Sequence, residues 1–408
     1  MTVSDEVRAR LQARSAQPPA PEPVRLPARR FVDRAFYEAE RAEIFGKAWL
    51  LAGRVDEIAR PGLYMTWEKT RVPLLVVHAV DDVIRCFYNS CRHRGAPVVR
   101  VPRGRNRALR CQYHSWTYDT SGKLVSVPDE RDFVDLRREE RALVPVSCEV
   151  RNSAIFVNEG PEADLGSWFG GPGKELTVES EGLRTLDQRS VTIPVNWKRV
   201  MGRLLSSPPA LPRPGAGALA TTDADVELLD GGHLRIVAPF DDAGASALGL
   251  AGPLDWADLS DADLPPVHGL GPMLSSTATT YLFFPNLLVS YTPSGIFNFT
   301  VWPADEETTL LEATWLAPDW GEEDSPAETP AWAERIEWAQ ARLDAMAAAF
   351  AGAQDEMKEP ARQGLSLQDD SEAVRLWNEA LDAHLREAVP PDTLTGAAPG
   401  EVRSPLPS

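Results

Sequence analysis

Residues 89–116 read NSCRHRGAPVVRVPRGRNRALRCQYHSW, and their pattern decides the fold of the first half of the chain. Cys91 and His93 form a C-x-H pair, and Cys111 and His114 form a C-x-x-H pair after a spacer of seventeen residues. Each pair therefore supplies one thiolate and one imidazole. In one class of two-iron cluster, two Cys side chains bind one iron and two His side chains bind the other. The spacing predicts a [2Fe–2S] cluster held between two loops.

A structural zinc site is the competing interpretation of these four side chains. Zinc sites usually pair like ligands, with two Cys close together and then two His close together. In this chain each short loop contains one ligand of each kind. The order of the ligands favours the two-iron cluster over zinc.

The segment resembles the cluster motif of Rieske proteins, down to the C-x-H-R-G sequence at residues 91–95 and the aromatic Trp116 after the second pair. This resemblance implies that each loop gives one ligand to each iron. Tyr113 lies between two of the ligands. We expect it either to donate a hydrogen bond near a cluster sulfur or, like Trp116, to pack over the cluster.

The composition bounds the possible classes of protein. The 408 residues exceed the roughly 250–300 at which a single core stops growing, so two domains are expected. The net charge of −18 argues against nucleic acid or an anionic membrane as a partner. No apolar run reaches the ~20 residues that cross a bilayer, and the first residues lack the apolar core of a secretory signal. Cys86 and Cys148 are too far apart to indicate a disulfide framework, so we expect a cytoplasmic protein.

The motif reverses the acidic character of the chain locally. No acidic residue lies between Asp82 and Asp119. One interpretation is that these arginines support the loops or form a solvated face. The other is a basic docking patch for an acidic electron donor such as a ferredoxin. The arginines between the two Cys ligands are Arg92, Arg94, Arg100, Arg103, Arg105, Arg107 and Arg110.

Composition and periodicity divide the chain into five segments. Apolar residues recur at helical spacing after Asp33, which is a plausible N-cap. Short strand patterns then surround the ligand loops and predict a small all-β unit. The predicted segments are a disordered arm (1–30), an opening helix (31–48), the Rieske unit (44–158), a second domain (159–388) and a flexible tail (389–408).

The second half resembles the catalytic domain of Rieske non-haem iron oxygenases, the ring-hydroxylating and demethylating family. The resemblance implies an α+β fold in which an all-β Rieske domain follows an N-terminal helix and precedes a helix-grip domain with an antiparallel sheet. It also identifies the chain as similar to an alpha subunit. The matching pieces are Glu43-Ile44-Phe45, Asn196-Trp197-Lys198, Phe284-Pro285-Asn286, Gln354-Asp355, Glu359, Gln363 and Gly364.

The chain departs from this family at the mononuclear iron. Family members bind that iron through two His and one carboxylate. The chain has no His between His114 and His233, and prolines interrupt the helix that carries the ligands in the family. Only Asp355 remains, at the position of the carboxylate ligand. The two His positions hold Pro209 or Ala210 and Pro214 or Gly215, and Ser206 or Ser207 replaces the acidic residue before them.

The resemblance therefore implies a degenerate member that holds the cluster without mononuclear Fe(II). We expect a non-catalytic subunit that takes electrons from a ferredoxin or flavin reductase. It would relay them to a homologous iron-containing subunit, or support that subunit structurally, in a ring-shaped trimer or hexamer. Two alternatives stay open. One is an active oxygenase whose iron site is rebuilt from His233, His268 and Asp355, and the other is a stand-alone electron carrier.

Overall fold

The computed structural model describes residues 23–161, 164–170, 182–206, 225–238, 267, 278–292, 295–321 and 325–395. These form two compact units. Phe45–Trp168 is the inserted unit, and Met1–Ile44 with Phe169–Ser408 is the outer unit. Several predicted positions lie outside the described residues, namely Ser207, Pro209, Ala210, Pro214, Gly215 and His268.

The chain enters the outer unit through a short strand. Strand β1 (Val24–Pro27) pairs antiparallel with Ser366–Asp369, and a 3₁₀ turn (Ala28–Phe31) follows it. The prediction of a disordered arm is therefore wrong for residues 24–30. Val24 and Leu26 are buried, whereas Arg25 between them is exposed. This alternation is typical of a strand, but it covers only three residues and does not stand out in a proline-rich segment.

Helix α1 (Arg34–Ala39) begins at the predicted cap. Asp33 Oδ1 accepts hydrogen bonds from the backbone N–H groups of Ala35 at 2.8 Å and Phe36 at 3.4 Å. The helix continues as a π-helical segment (Glu40–Phe45) and then stops before Gly46. It is therefore shorter than the predicted 31–48, because glycine is a favoured residue just beyond a helix end.

The inserted unit consists of antiparallel strands in two sheets. The larger sheet has the order β2-β11-β10-β5-β4-β3-β6, and the smaller has the order β7-β8-β9. Its core contains Cys91 and Cys111 together with aliphatic and aromatic side chains. The strands are β2 (Leu50–Arg54), β3 (Leu63–Trp67), β4 (Leu74–His78), β5 (Ile84–Tyr88), β6 (Arg103–Arg105), β7 (Ala108–Arg110), β8 (Thr117–Asp119), β9 (Leu124–Ser126), β10 (Pro145–Arg151) and β11 (Ala154–Asn158).

The outer unit is built on a second antiparallel sheet, with the order β12-β18-β17-β16-β15-β14-β13. All nine residues of its strand β17 are buried, so both faces of the sheet are covered there. Short helix α2 (Leu165–Phe169) contains the point in the sequence, after Trp168, at which the inserted unit ends. The remaining elements are β12 (Leu183–Ile193), α3 (Trp197–Ser206), β13 (Asp225–Leu228), β14 (Leu234–Ala238), β15 (Ala278–Phe283), β16 (Leu287–Thr292), β17 (Gly295–Pro303), β18 (Thr309–Pro318), α4 (Pro330–Ala349), α5 (Ala353–Arg362), β19 (Ser366–Asp369) and α6 (Glu372–Leu385).

The Asn196-Trp197-Lys198 motif fixes the start of α3. The backbone N–H of Asn196 donates to Gln354 Oε1 at 2.9 Å, and Trp197 Nε1 donates to Glu40 Oε2 at 3.0 Å. Lys198 Nζ lies 2.8 Å from Glu40 Oε1, with both side chains buried. Burial lowers the pKa of Lys198 to about 8, although Glu40 acts in the opposite direction. The motif therefore ties α3 to both α1 and α5.

The prediction of a flexible tail does not hold for residues 389–395. Val389 and Thr393 are buried, and Thr395 receives a hydrogen bond from the guanidinium of Arg30 at 2.8 Å. Arg30 also contacts Asp382 at 3.0 Å. The ion pair between Arg30 and Asp382 is buried, and a buried pair needs further hydrogen bonds to its charged groups. Thr395 accepts one of these bonds, so the chain is held in place as far as residue 395. Residues 396–408 lie outside the described part.

Candidate iron–sulfur site

The two ligand loops share one turn geometry. In the first, the N–H of Cys91 donates to Ala96 O at 2.7 Å, and Gly95 N donates back to Cys91 O at 2.8 Å. In the second, Cys111 N donates to Trp116 O at 2.9 Å, and Ser115 N donates to Cys111 O at 3.0 Å. Each Cys therefore opens a turn that closes five residues later.

The fifth residue of each turn adopts a left-handed backbone conformation. Gly95 has a φ of +77° and Ser115 a φ of +59°. Glycine adopts this region freely, whereas a residue with a side chain is strained by roughly 1–2 kcal/mol. At Ser115 the hydroxyl accepts a hydrogen bond from Arg110 Nη2 at 2.7 Å, which helps to hold the turn.

The four predicted ligands converge between these turns. The Cys91 and Cys111 side chains interact and are buried, with 3% and 1% of each residue exposed. The imidazole rings of His93 and His114 lie edge to face with centroids 4.6 Å apart, and His114 is exposed. The sulfurs thus lie inside the unit and the imidazoles lie towards its surface. This is the separation that a cluster with one Cys-bound and one His-bound iron requires.

One orphaned atom shows that these residues fit such a cluster. His93 Nδ1 is buried and has no hydrogen-bond partner among the described residues. Burial, together with His114 and Arg94, lowers the pKa of His93 and keeps its ring neutral, the form that binds a metal. Within the described ranges, no three His, Cys, Asp or Glu side chains could hold one metal ion. A two-iron cluster requires no such group, because each iron takes two protein ligands.

Tyr118 is the residue that contacts a ligand sulfur. Its hydroxyl lies 3.3 Å from Cys91 Sγ and accepts a hydrogen bond from Arg92 N at 2.9 Å. Burial, with the hydrogen bond to Cys91, raises the pKa of Tyr118, so the phenol stays protonated and can donate to sulfur. The hydrogen bond expected from Tyr113 stays a prediction: Tyr113 is 60% exposed, and its ring packs against Arg100 and stacks on His114 with centroids 6.3 Å apart.

Aromatic packing holds the first imidazole. The ring of Trp116 stacks on His93 with centroids 5.0 Å apart, as expected for an aromatic residue after the second ligand pair. Phe133 contacts both rings edge to face. Asn89 was not foreseen from the sequence: its side-chain oxygen accepts from the N–H groups of Val98 and Val99 and shapes the first loop.

The outer unit does not bring the other proposed iron ligands together among the residues described. Asp355 lies on α5 with 82% of its side chain exposed and pairs with Lys358 at 2.9 Å. His233 is buried, and its Nδ1 accepts a hydrogen bond from Phe284 N at 2.9 Å. His268 lies outside the described residues, and His384, which is not one of the proposed ligands, bonds through Nδ1 to Ala380 O within α6. Each of these described side chains therefore has a local structural partner.

Residues 48–145 match the model of the Rieske [2Fe–2S] domain. The biphenyl 2,3-dioxygenase alpha subunit of Rhodococcus jostii (strain RHA1) is 40% identical over 148 residues, which cover 36% of this chain and 32% of that protein. Over these residues the chain is homologous to the alpha subunits of Rieske oxygenases. A second relative of this family is the carnitine monooxygenase oxygenase subunit of Escherichia coli (strain K12), which is 27% identical over 184 residues, covering 44% of this chain and 49% of that protein.

The matched region spans about a third of the length of the dioxygenase relative. The Rieske oxygenase fold extends further. A quaternary ammonium Rieske monooxygenase, described in terms of carnitine oxidation and inter-subunit electron transfer, aligns with a TM-score of 0.68 at 18% identity, covering 89% of this chain and 94% of its own. Naphthalene 1,2-dioxygenase from Rhodococcus sp. aligns with a TM-score of 0.66 at 18% identity, covering 94% and 98%. These alignments confirm the predicted α+β fold with its antiparallel sheets.

In this Rieske unit, Cys91 and Cys111 would hold one iron, and His93 and His114 the other. The bound cluster supplies reversible one-electron transfer. The protein's part is to shield the sulfurs, to orient the imidazoles through Trp116 and to place a phenol at Cys91. None of the helices in the described ranges is long and apolar enough to span a bilayer.

Proposed function

We propose that this chain is the [2Fe–2S] subunit of a cytoplasmic oxygenase complex and is itself non-catalytic. It accepts electrons from a ferredoxin or a flavin reductase. It passes them to a homologous subunit that holds the mononuclear iron, within a ring-shaped trimer or hexamer. The inter-subunit electron transfer described for a monooxygenase of the same fold supports such a relay.

One observation carries the proposal: the chain has no His between His114 and His233. By resemblance, both His ligands of the mononuclear iron belong in that interval. Iron(II) in an oxygen-activating site needs two imidazoles as well as a carboxylate. The exposed, Lys-paired position of Asp355 agrees with the loss of this site.

An active oxygenase is the second candidate. It is favoured by the retained fold, since the alignment to a catalytic monooxygenase covers 89% of this chain. In that case the iron would be held by a set that includes His268, which lies outside the described residues. Its iron content separates the two candidates.

The test is to count iron in the chain purified alone and to record its electron paramagnetic resonance spectrum. We expect two irons per chain and the spectrum of a reduced cluster with mixed Cys and His ligands. Three irons per chain, with hydroxylation or demethylation by the chain alone, would contradict the proposal. The Cys111→Ser variant is the control, because it removes a cluster ligand and should lose both irons.

The same variant tests the relay. Added to the iron-containing sister subunit, the unmodified chain should support turnover, and Cys111→Ser should not. If both support turnover equally, the chain is a structural support rather than a relay.

A further inference from the structure

The two units differ sharply in charge. The inserted unit, Phe45–Trp168, contains 19 Arg and Lys against 16 Asp and Glu, a formal net charge of +3. Since the whole chain carries −18, the remaining residues carry −21. The unit that holds the ligands is thus basic within an acidic protein.

The arginines of the inserted unit fall into two groups relative to the ligand loops. Strands β7 and β8 of the small sheet are joined by the second ligand loop. Arg110 pairs with Thr117 at the end of the two strands next to this loop, and Ala108 pairs with Asp119 at the opposite end. Arg105 and Arg107 flank the turn at that opposite end. Four exposed arginines adjoin the ligands instead, and we call them the proximal arginines: Arg92, Arg94, Arg100 and Arg110.

These proximal arginines have no acidic partner among the described residues. Arg100 lies over the ring of Tyr113, 4.6 Å from its centroid, and Arg110 donates to the Ser115 hydroxyl. Elsewhere in the unit, Arg85 pairs with Asp81 and Arg138 with Glu130, whereas Arg105 and Arg107 at the far turn have no acidic partner among the described residues either. Positive charge that is left uncompensated beside the exposed His114 attracts acidic surfaces.

An exposed aromatic ring lies among these charges. Tyr113 is 60% exposed and precedes His114, and Val101, next to Arg100, is 52% exposed. Aromatic and apolar side chains surrounded by arginine are typical of the centre of a protein–protein contact. A small diffusing anion would need neither the ring nor the apolar side chain.

We infer that the proximal arginines with Tyr113 form the docking surface for an acidic electron-donor protein of the ferredoxin class. The inference rests on the proposed function, because the donor delivers electrons to the cluster. In each encounter the reduced donor loses one electron. The diferric cluster gains it, so that one iron becomes ferrous and no proton or group is transferred.

The test measures binding of a plant-type [2Fe–2S] ferredoxin to the full-length chain by biolayer interferometry, with cytochrome c as a basic protein of similar size. The variant Arg92→Glu/Arg100→Glu reverses two proximal charges. Arg105→Glu/Arg107→Glu makes the same charge change at the far turn and is the matched control. We expect the ferredoxin Kd to rise about tenfold for the proximal variant and about twofold for the control. The wild-type Kd should rise with salt, since screening weakens attraction between exposed charges.

Equal Kd values for the two variants would overturn the inference. The inference would also be overturned if the proximal variant changed the oligomeric state of the chain but not its Kd for ferredoxin. The proximal arginines would then bind the acidic outer unit of another copy of this chain. Reduction by dithionite separates the two proposals. A chain that holds no reducible cluster defeats the proposed function whatever its Kd. A chain reduced normally by dithionite, with charge-independent ferredoxin binding, defeats only the docking surface.

Discussion

At the scale of single residues, the site depends on which side chains lie inside the unit. Cys91 and Cys111 are buried in its core, whereas His114 is exposed. Tyr118 belongs to the inner group, and its hydroxyl contacts Cys91 Sγ at 3.3 Å. A phenol that donates to a ligand sulfur stabilises the reduced cluster, because the reduced form carries more negative charge.

Tyr118→Phe is therefore expected to lower the midpoint potential of the cluster. A differential stabilisation of about 1 kcal/mol corresponds to roughly 40 mV for one electron, and we expect a decrease of this order. Protein-film voltammetry measures it. Tyr113→Phe is the matched control, since the described contacts of this exposed ring are with Arg100 and His114 and not with a Cys sulfur, and its potential should change by less than about 10 mV. Equal potentials for Tyr118→Phe and the wild type would show that the contact does not tune the cluster.

At the scale of elements, several motifs that suggested chemistry hold the fold together instead. Gln354 accepts from Asn196 N and donates to Phe31 O at 2.9 Å, so it joins three segments distant in sequence. Strand β1 adds to the same region by pairing with β19. The first described residues are therefore part of the core of the outer unit.

Replacing Leu26 by Ala tests the importance of β1. Leu26 is buried, so the loss of its side chain should lower the free energy of unfolding of the outer unit by about 2–4 kcal/mol. Urea denaturation followed by tryptophan fluorescence measures the change. Arg25→Ala, at the neighbouring exposed position, should change it by less than about 0.5 kcal/mol. Similar values for both variants would restore the disordered-arm interpretation.

At the scale of the whole molecule, the inserted unit is a continuous segment with its own core. All four cluster ligands lie within Phe45–Trp168, as do Tyr118, Trp116 and Phe133. A continuous unit of this size, near the usual range for independent domains, can fold without the rest of the chain.

The fragment 45–168 is therefore expected to assemble a cluster when produced by itself. Its visible absorption and its iron content, two per fragment, should match those of the full chain. Cys111→Ser in the same fragment is the control and should be colourless. A soluble fragment without iron would show that residues of the outer unit are needed to assemble the cluster.

The sequence predicted the ligand set and the all-β unit because both depend on local signals. C-x-H and C-x-x-H spacing, turn residues and alternating apolar positions act over a few residues. The choice between Tyr113 and Tyr118 could not be made in this way. Tyr113 is nearer in sequence to the ligands, but the pairing of β7 with β8 turns Tyr118 towards Cys91. The W-x-Y spacing after His114 was the available signal.

What the sequence by itself determined is the α+β class, the four candidate cluster ligands and the absence of His after Asn196 where the resemblance requires two. Tertiary structure alone decided which side of the ligand set faces solvent, which tyrosine contacts sulfur and that residues 24–30 are ordered. The reason is that ligand chemistry and local periodicity are written in neighbouring residues. Burial and register depend on pairing partners such as β1 and β19, which lie more than 300 residues apart.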